Sequence, residues 1–339
     1  MSAASVRLLI LGGTAWLGGH VTRTGLQFGH QVTCLARGSS GNVPAGAVFI
    51  QADRDQPEAY DQVAGEQWDV VIDVSRQPGQ VNSAVAALTD RTGFYCFVSS
   101  TNVYADHSTP GQNEDGALLP ALDGEVMESM QDYGQAKVAC EQHVLRSFGP
   151  DRALIARVGL IGGPGDVFDR SGYWPLRFAH PATPDGAVLV PDAPDLPTQV
   201  IDVRDLASWL IDAGNRNIGG IFNAAGQTVP LAGHLNVARS VAGHTGPVVA
   251  ADQQWLLAHG VQEWMGERSL PLWLADPDWL GFNARDSGRA RRAGLTTRPL
   301  DQTLTDTLDW EMTTDRGRVR QAGLSDEDER TLLTALGRT

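Results

Sequence analysis

Cysteine is scarce here, with three residues in 339, at Cys34, Cys96 and Cys140. They are odd in number and far apart, which excludes a disulfide framework and leaves small buried hydrophobes as the expected state. No metal-ligand spacing links them to one another or to the eight histidines, so no metal is expected. Basic residues are also short: 26 Lys and Arg stand against 40 Asp and Glu, a net charge of -14. Phosphate backbones and anionic membranes call for clustered Lys and Arg, so neither nucleic acid nor a membrane is an expected partner. There is no run of eighteen apolar residues and no basic opening followed by an apolar stretch, so the chain reads as soluble and cytoplasmic. Internal repeats and low-complexity linkers are absent too.

What is present is a hydrophobic content of 42%, sufficient for one large nucleotide-binding fold and a smaller cap. Val6 to Leu11 reads as a buried strand, and it runs directly into Gly12-Gly13-Thr14-Ala15-Trp16-Leu17-Gly18 and then a helix. Strand, glycine turn and helix form a phosphate cradle: Gly12 permits the tight turn, and backbone from Gly13 to Leu17 can approach a pyrophosphate at the positive end of the helix dipole. Ala15 takes the middle glycine position of the pattern. A second strand, Gln31 to Leu35, ends at Ala36-Arg37-Gly38-Ser39-Ser40, where an NAD site usually places an acid on the ribose hydroxyls. Arg37 with Ser39 can instead hold a 2′-phosphate, so NADP(H) is expected over NAD(H).

Further along, Tyr133 and Lys137 stand four residues apart, on one face of a helix. A free phenol has a pKa near ~10 and a nearby cation favours the phenolate, so such a pair suits proton exchange with an alkoxide. Alternating strand and helix patterns place strands near 6–11, 31–35, 47–51, 69–74, 94–99, 153–158 and 220–223. Helices are expected near 16–28, 78–90, 126–147 and 204–214. This is the pattern of an α/β fold, a Rossmann-type doubly wound parallel sheet with a smaller C-terminal substrate-binding cap. The dinucleotide domain is expected over 1–158, about 199–225 and part of 285–339, and the cap over about 159–198 and 226–284. The last apolar stretches, Leu300 to Leu308 and Leu324 to Leu336, are expected to pack on the nucleotide domain, with Ser325 capping a helix.

With these motifs in one chain, the sequence resembles the extended short-chain dehydrogenase/reductase family, which includes nucleotide-sugar epimerases and dehydratases. The resemblance runs through Phe97 to Tyr104, Arg157 to Pro164 and Gln199 to Ala207. It implies that Ser100 hydrogen-bonds the reacting oxygen, with Ser99 as the other candidate, and that Tyr133 is the acid/base. Lys137 would bind the nicotinamide ribose and tune Tyr133. Asp53 would contact adenine, while Val74, Ser75, Val158 and Leu160 would line the cofactor. The family's dehydratases carry an Asp-Glu pair after the catalytic Ser or Thr, and this chain has Thr101 and Asn102, which cannot act as carboxyl acids. Nucleotide-sugar epimerases commonly place a substrate-binding Asn where Leu160 stands.

The substrate side is expected to draw on Thr101 and on the run Asp169 to His180, where Arg170, Trp174 and Arg177 offer an aromatic, cationic wall for a planar or anionic small molecule. Trp255, Trp264, Trp273 and Trp279 add a second aromatic cluster. The leading expectation is an NADPH-dependent reductase of a small carbonyl compound. The alternatives are an NAD-dependent sugar or nucleotide-sugar epimerase and, from another class, a non-catalytic dinucleotide sensor or scaffold. A small-molecule substrate is the expected partner, and a homodimer is compatible with the resemblance.

Overall fold

The computed structural model describes residues 5–315 and 317–337. In chain order the first half runs β1 (Arg7–Leu11), α1 (Trp16–Gln27), β2 (Gln31–Ala36), β3 (Val48–Gln51), β4 (Trp68–Asp73), α2 (Pro78–Leu88), β5 (Thr92–Ser100), α3 (Tyr133–Phe148) and β6 (Ala153–Val158). The second half runs β7 (Leu160–Gly162), α4 (Tyr173–Ala179), β8 (Val188–Pro191), β9 (Pro197–Asp202), α5 (Val203–Asn215), β10 (Gly220–Ala224), β11 (Thr228–Pro230), α6 (Leu231–Val241) and β12 (Val248–Ala251). Then come α7 (Gln253–Ala258), β13 (Gln262–Glu263), β14 (Ser269–Leu270), α8 (Gly288–Arg292), α9 (Leu300–Thr313) and α10 (Asp326–Ala335).

Seven strands form one parallel sheet in the order β10-β6-β5-β4-β1-β2-β3. Both faces are covered, which is why its strands read as near-continuous apolar runs. Leu8, Ile10, Cys34, Val70 and Ile72 pack under α1 and α5, while Leu9, Leu11, Val71, Tyr95 and Phe97 pack under α2 and α3. All three cysteines are free and buried, and burial pushes their thiols up. The strand order reverses between β1 and β4, and in open α/β sheets the crevice at such a switch point, outside the strands' carboxyl ends, binds the ligand.

The cap is a second core, built from small sheets (β11-β9-β7, β12-β8 and β13-β14) and the helices around α4. The chain's last helices join it: Leu304 of α9 and Leu332 and Leu333 of α10 pack with Trp174, Phe178 and Leu189, not on the nucleotide sheet. Ala290 and Leu295, around α8, are the part of the C-terminal region that packs on the large sheet. Ser325 does cap α10, accepting from the Asp328 N–H at 3.0 Å. The helix expected from 126 starts only at Tyr133. The Gln77 side chain accepts from the Met127 N–H at 2.7 Å and donates to its carbonyl at 3.2 Å, which holds that stretch against the β4–α2 turn and leaves Val126 and Met130 exposed. Among the described residues no helix is long and apolar enough to cross a membrane.

His234 of α6 is fully buried in the cap, neither ring nitrogen has a partner among the described residues, and burial pushes its pKa down to about 4. Its folded pKa lies below the unfolded value, so the unfolded state takes the proton first as pH falls. Stability is therefore intact above pH ~6.5 and erodes towards pH 4, by about 2 kcal/mol at pH 5 from this group alone. In urea titrations His234→Leu is expected to flatten that acid-side loss; an unchanged pH dependence would contradict the assignment.

Candidate active site

The phosphate turn is built as close packing demands. Gly12 has φ +96°, and a Cβ there would lie 2.6 Å from Val74 Cγ2. A Cβ on Gly18 would lie 2.1 Å from the Gly12 carbonyl oxygen, so α1 can start this near the turn only with glycine at both places. Gly13 serves packing rather than the groove, because its Cβ would meet Cys34 Sγ at 2.6 Å. No side chain caps α1, so its first N–H groups are left for an anion. Gly12→Ala is expected to weaken dinucleotide binding at least ~tenfold in a fluorescence titration, since the strained turn must shift; unaltered affinity would place the cofactor elsewhere.

A groove of about 580 Å³ runs over this turn and along the ends of β1, β2, β3 and β4. Gly12, Thr14, Trp16, Arg37, Ser39, Asp53, Val74 and Ser75 line it. Leu17, Gly18, Lys137, Val158 and Leu160 do not. Val158 is in the sheet core, and Leu160 packs in the cap core with Trp174. Arg37, Ser39 and Ser40 are exposed at one end of the groove, with Asp53 and Asp55 beside them.

The floor rests on a residue that the sequence reading passed over. Arg54, next to Asp53, is buried and grips Asp73 bidentately at 2.7 and 2.7 Å, with further bonds to Tyr60 Oη and the Gln80 carbonyl. Asp73 also accepts from Tyr95 Oη at 2.8 Å and from the Ser75 N–H at 2.9 Å. Burial alone would raise the Asp73 carboxyl, but the guanidinium holds it below the usual range. A charged residue at the end of a strand was the only available signal, and it does not by itself indicate burial.

Ser75, fixed this way, presents its carbonyl to Lys137. The ammonium is 3% exposed and donates to the carbonyls of Ser75 at 2.7 Å and Val98 at 2.6 Å. It lies 4.7 Å from the centre of the Phe97 ring and 5.9 Å from that of Tyr133. Ser100, at the end of β5, donates to Asn102 Oδ1 at 2.9 Å and caps the short turn Thr101–Val103. Ser99 faces the opposite side, donating to Glu141 at 2.5 Å within a buried Glu141–Arg157 ion pair.

On the cap side, Gly163 to Ser171 forms a strap at the edge of the groove. Trp16 Nε1 donates to the Pro164 carbonyl at 2.9 Å, and Val167 and Phe168, both exposed, line the groove. Asp166 braces the strap by accepting from Phe168 N at 2.9 Å, Ser171 N at 3.0 Å and Ser171 Oγ at 2.9 Å.

Of the four expected substrate contacts, Arg170 is the one whose guanidinium lies against a groove residue, 4.8 Å from the centre of the Phe168 ring. Trp174 is fully buried and donates to the Pro271 carbonyl at 2.9 Å. Arg177 pairs with Asp326 at 2.6 Å and Glu329 at 3.0 Å, and Thr101 is covered at 1% exposure. The reason lies in α4: both its sides are packed, against α6 and α9, so Trp174 faces the cap core while Arg177 turns to Asp326 and Glu329 of α10. A second groove of about 520 Å³, beside Arg177, Arg318 and Arg320, touches none of the sheet's strand ends, and its arginines are already paired with carboxylates.

A doubly wound sheet, a glycine turn that admits a pyrophosphate and a Tyr-Lys pair beside the groove define a dinucleotide-dependent enzyme of the extended short-chain dehydrogenase/reductase class. A family model described as the NAD dependent epimerase/dehydratase family matches residues 8–225, and the chain belongs to that family. Its members are NAD(P)-dependent enzymes. Among solved structures, the chain is similar to a putative epimerase from Burkholderia cenocepacia J2315, with 20% identity over 91% of this chain and 98% of that one and a TM-score of 0.66. UDP-N-acetylglucosamine 4-epimerase from Bacillus cereus gives 15% identity over 93% and 100%, with a TM-score of 0.67. The UDP-Glc/GlcNAc 4-epimerase from Campylobacter jejuni gives 16% over 91% and 100%, also at 0.67. Identities this low establish the shared fold. No match was found among curated protein sequences.

Proposed function

We propose that the protein inverts a carbinol centre of a small polar substrate, by way of a transient ketone, on a nicotinamide dinucleotide that it keeps bound. The observation that carries this reading is the strap: Trp16 ties the phosphate turn to Pro164, and the exposed apolar side chains of Val167 and Phe168 line the groove, where they would pack on a bound dinucleotide and slow its exchange. An epimerase needs a retained cofactor, whereas a reductase must release one at every turnover. This favours the epimerase alternative over the NADPH consumption expected from sequence.

When bound, the dinucleotide supplies a hydride acceptor and then a donor. The rest falls to this chain. Tyr133 Oη takes the hydroxyl proton and later returns it, while the Lys137 charge, pinned by two carbonyls, stays beside the phenol. Ser100 Oγ can turn from Asn102 to hold the reacting oxygen. Thr101 and Asn102 supply no carboxylate, so elimination lies outside the proposal. With Leu160 in the cap core, the Asn contact common in nucleotide-sugar epimerases is missing, which argues for a substrate other than a nucleotide sugar.

The test is to incubate the purified protein with candidate sugars and polyols and to follow epimer formation by chromatography alongside absorbance of the reduced nicotinamide. Epimer formation with no net absorbance change is expected. Stoichiometric loss of NADPH would favour a second reading, the NADPH-dependent reductase, which one observation supports: Arg37 is exposed at the groove's end, beside Ser39 and Ser40, with no side-chain partner among the described residues. A 2′-phosphate held there predicts that Arg37→Ala weakens NADPH at least ~tenfold relative to NADH. Equal loss for both cofactors would assign Arg37 to adenine stacking.

A further inference from the structure

The other heavily covered arginines all have partners: Arg54 holds Asp73, Arg157 holds Glu141, Arg177 holds Glu329, and Arg285 donates to Gln112, the Asp106 carbonyl and His107. Arg170 has neither an ion pair nor a hydrogen bond among the described residues, and its Nε is sealed from solvent without an acceptor. Its guanidinium lies 4.8 Å from the centre of the Phe168 ring and 5.3 Å from that of Trp264. The Asp166 carboxylate, four residues before it, is already spent on Phe168 and Ser171. Burial accordingly pushes the guanidinium's pKa down. The residue is half-buried, and its Nε gives up hydration with no acceptor in return.

The surroundings hold the residue in place. Asp169, at φ +60° in the left-handed region and fully buried, accepts from the Gln321 N–H at 2.8 Å and pairs with Arg318 and, at 3.5 Å, Arg320. Trp264, on the other side, also has positive φ, at +67°. Two non-glycine residues in this region flank one unpartnered arginine, and backbone strain of this kind persists where the surroundings enforce it and gathers at ligand sites.

We propose that Arg170 is the anion anchor of the substrate pocket, and that the substrate carries a carboxylate within reach of the carbinol handled by Tyr133. This rests on the reading of Tyr133 as the acid/base. A carboxylate suits the site better than a diphosphate: a planar fork set against two aromatic rings offers its edge to two coplanar oxygens. With a net charge of -14, a local cation is also what an anionic substrate needs in order to settle here.

The test is calorimetric titration of the full chain, as purified with its cofactor, using two matched pairs: D-glucuronate against D-glucose, and D-lactate against 1,2-propanediol. In at least one pair the acid is expected to bind at least tenfold more tightly than the neutral partner. Arg170→Met should erase that preference and Arg170→Lys should keep part of it, with the neutral ligands bound alike in all three proteins. Quenching of Trp264 by the acid, lost in Trp264→Phe, is the check that does not rely on an Arg170 variant. No preference in either pair, a preference that survives Arg170→Met, or Arg170-dependent binding of UDP-glucose that is tighter than that of both acids would each overturn the proposal. Because binding is the readout, an acid that binds but is never turned over leaves the anchor standing and counts against the epimerase reading alone.

Discussion

Tyr133→Phe is expected to lower kcat by ~10²–10⁴-fold while leaving dinucleotide affinity within a factor of about two. The substitution removes one oxygen and keeps the ring, so packing over Lys137 persists. The groove proposed for the dinucleotide is lined by other residues, from Gly12 to Gln80 and at Val167 and Phe168. A proton carrier is thus deleted without disturbing the cradle. Turnover and cofactor titration on the same preparation separate the two effects, and a variant that keeps its kcat would remove Tyr133 from the chemistry.

The second large effect is on stability. Arg54→Met is expected to cost about 3–5 kcal/mol, the range for stripping one partner from a buried ion pair. Asp73 is fully buried, and the variant would leave its carboxylate with only Tyr95 Oη and the Ser75 N–H. Asp73 titrates below its usual value in the fold, so the pair's contribution is present above the unfolded carboxyl pKa and is lost as pH falls through the folded one. Urea denaturation near neutral pH gives the number. A cost under about 1 kcal/mol would mean that the pair barely offsets its own desolvation.

The large sheet was legible in the sequence because burial on both faces writes each strand as an apolar run. The strands at 31–36, 153–158 and 220–224 fall within a residue or two of expectation. Residues 126–132 misled because Val126 and Met130 are apolar yet exposed, the segment being held by Gln77 rather than by a helix. The cap's small sheets stayed hidden: β8 pairs with β12 across some sixty residues, a contact that local periodicity does not encode. In the site, the glycine turn and the Tyr-Lys spacing are local and could be read directly. Trp174 and Arg177 shared the composition of Arg170 but turn to the cap core and to α10, because a seven-residue helix packed on both sides gives no sequence period to tell inward from outward. Arg54 went unnoticed since its partner, Asp73, is nineteen residues away.

The central claim is that this chain works on a cofactor it retains against the strap. The most direct measurement is to denature the protein as purified, without added dinucleotide, and to quantify the nicotinamide cofactor released per chain. Close to one equivalent is the predicted result, falling sharply in a Trp16→Phe variant that cannot bond to Pro164. Cofactor-free protein that binds NADPH from solution and releases it within a turnover would contradict the account.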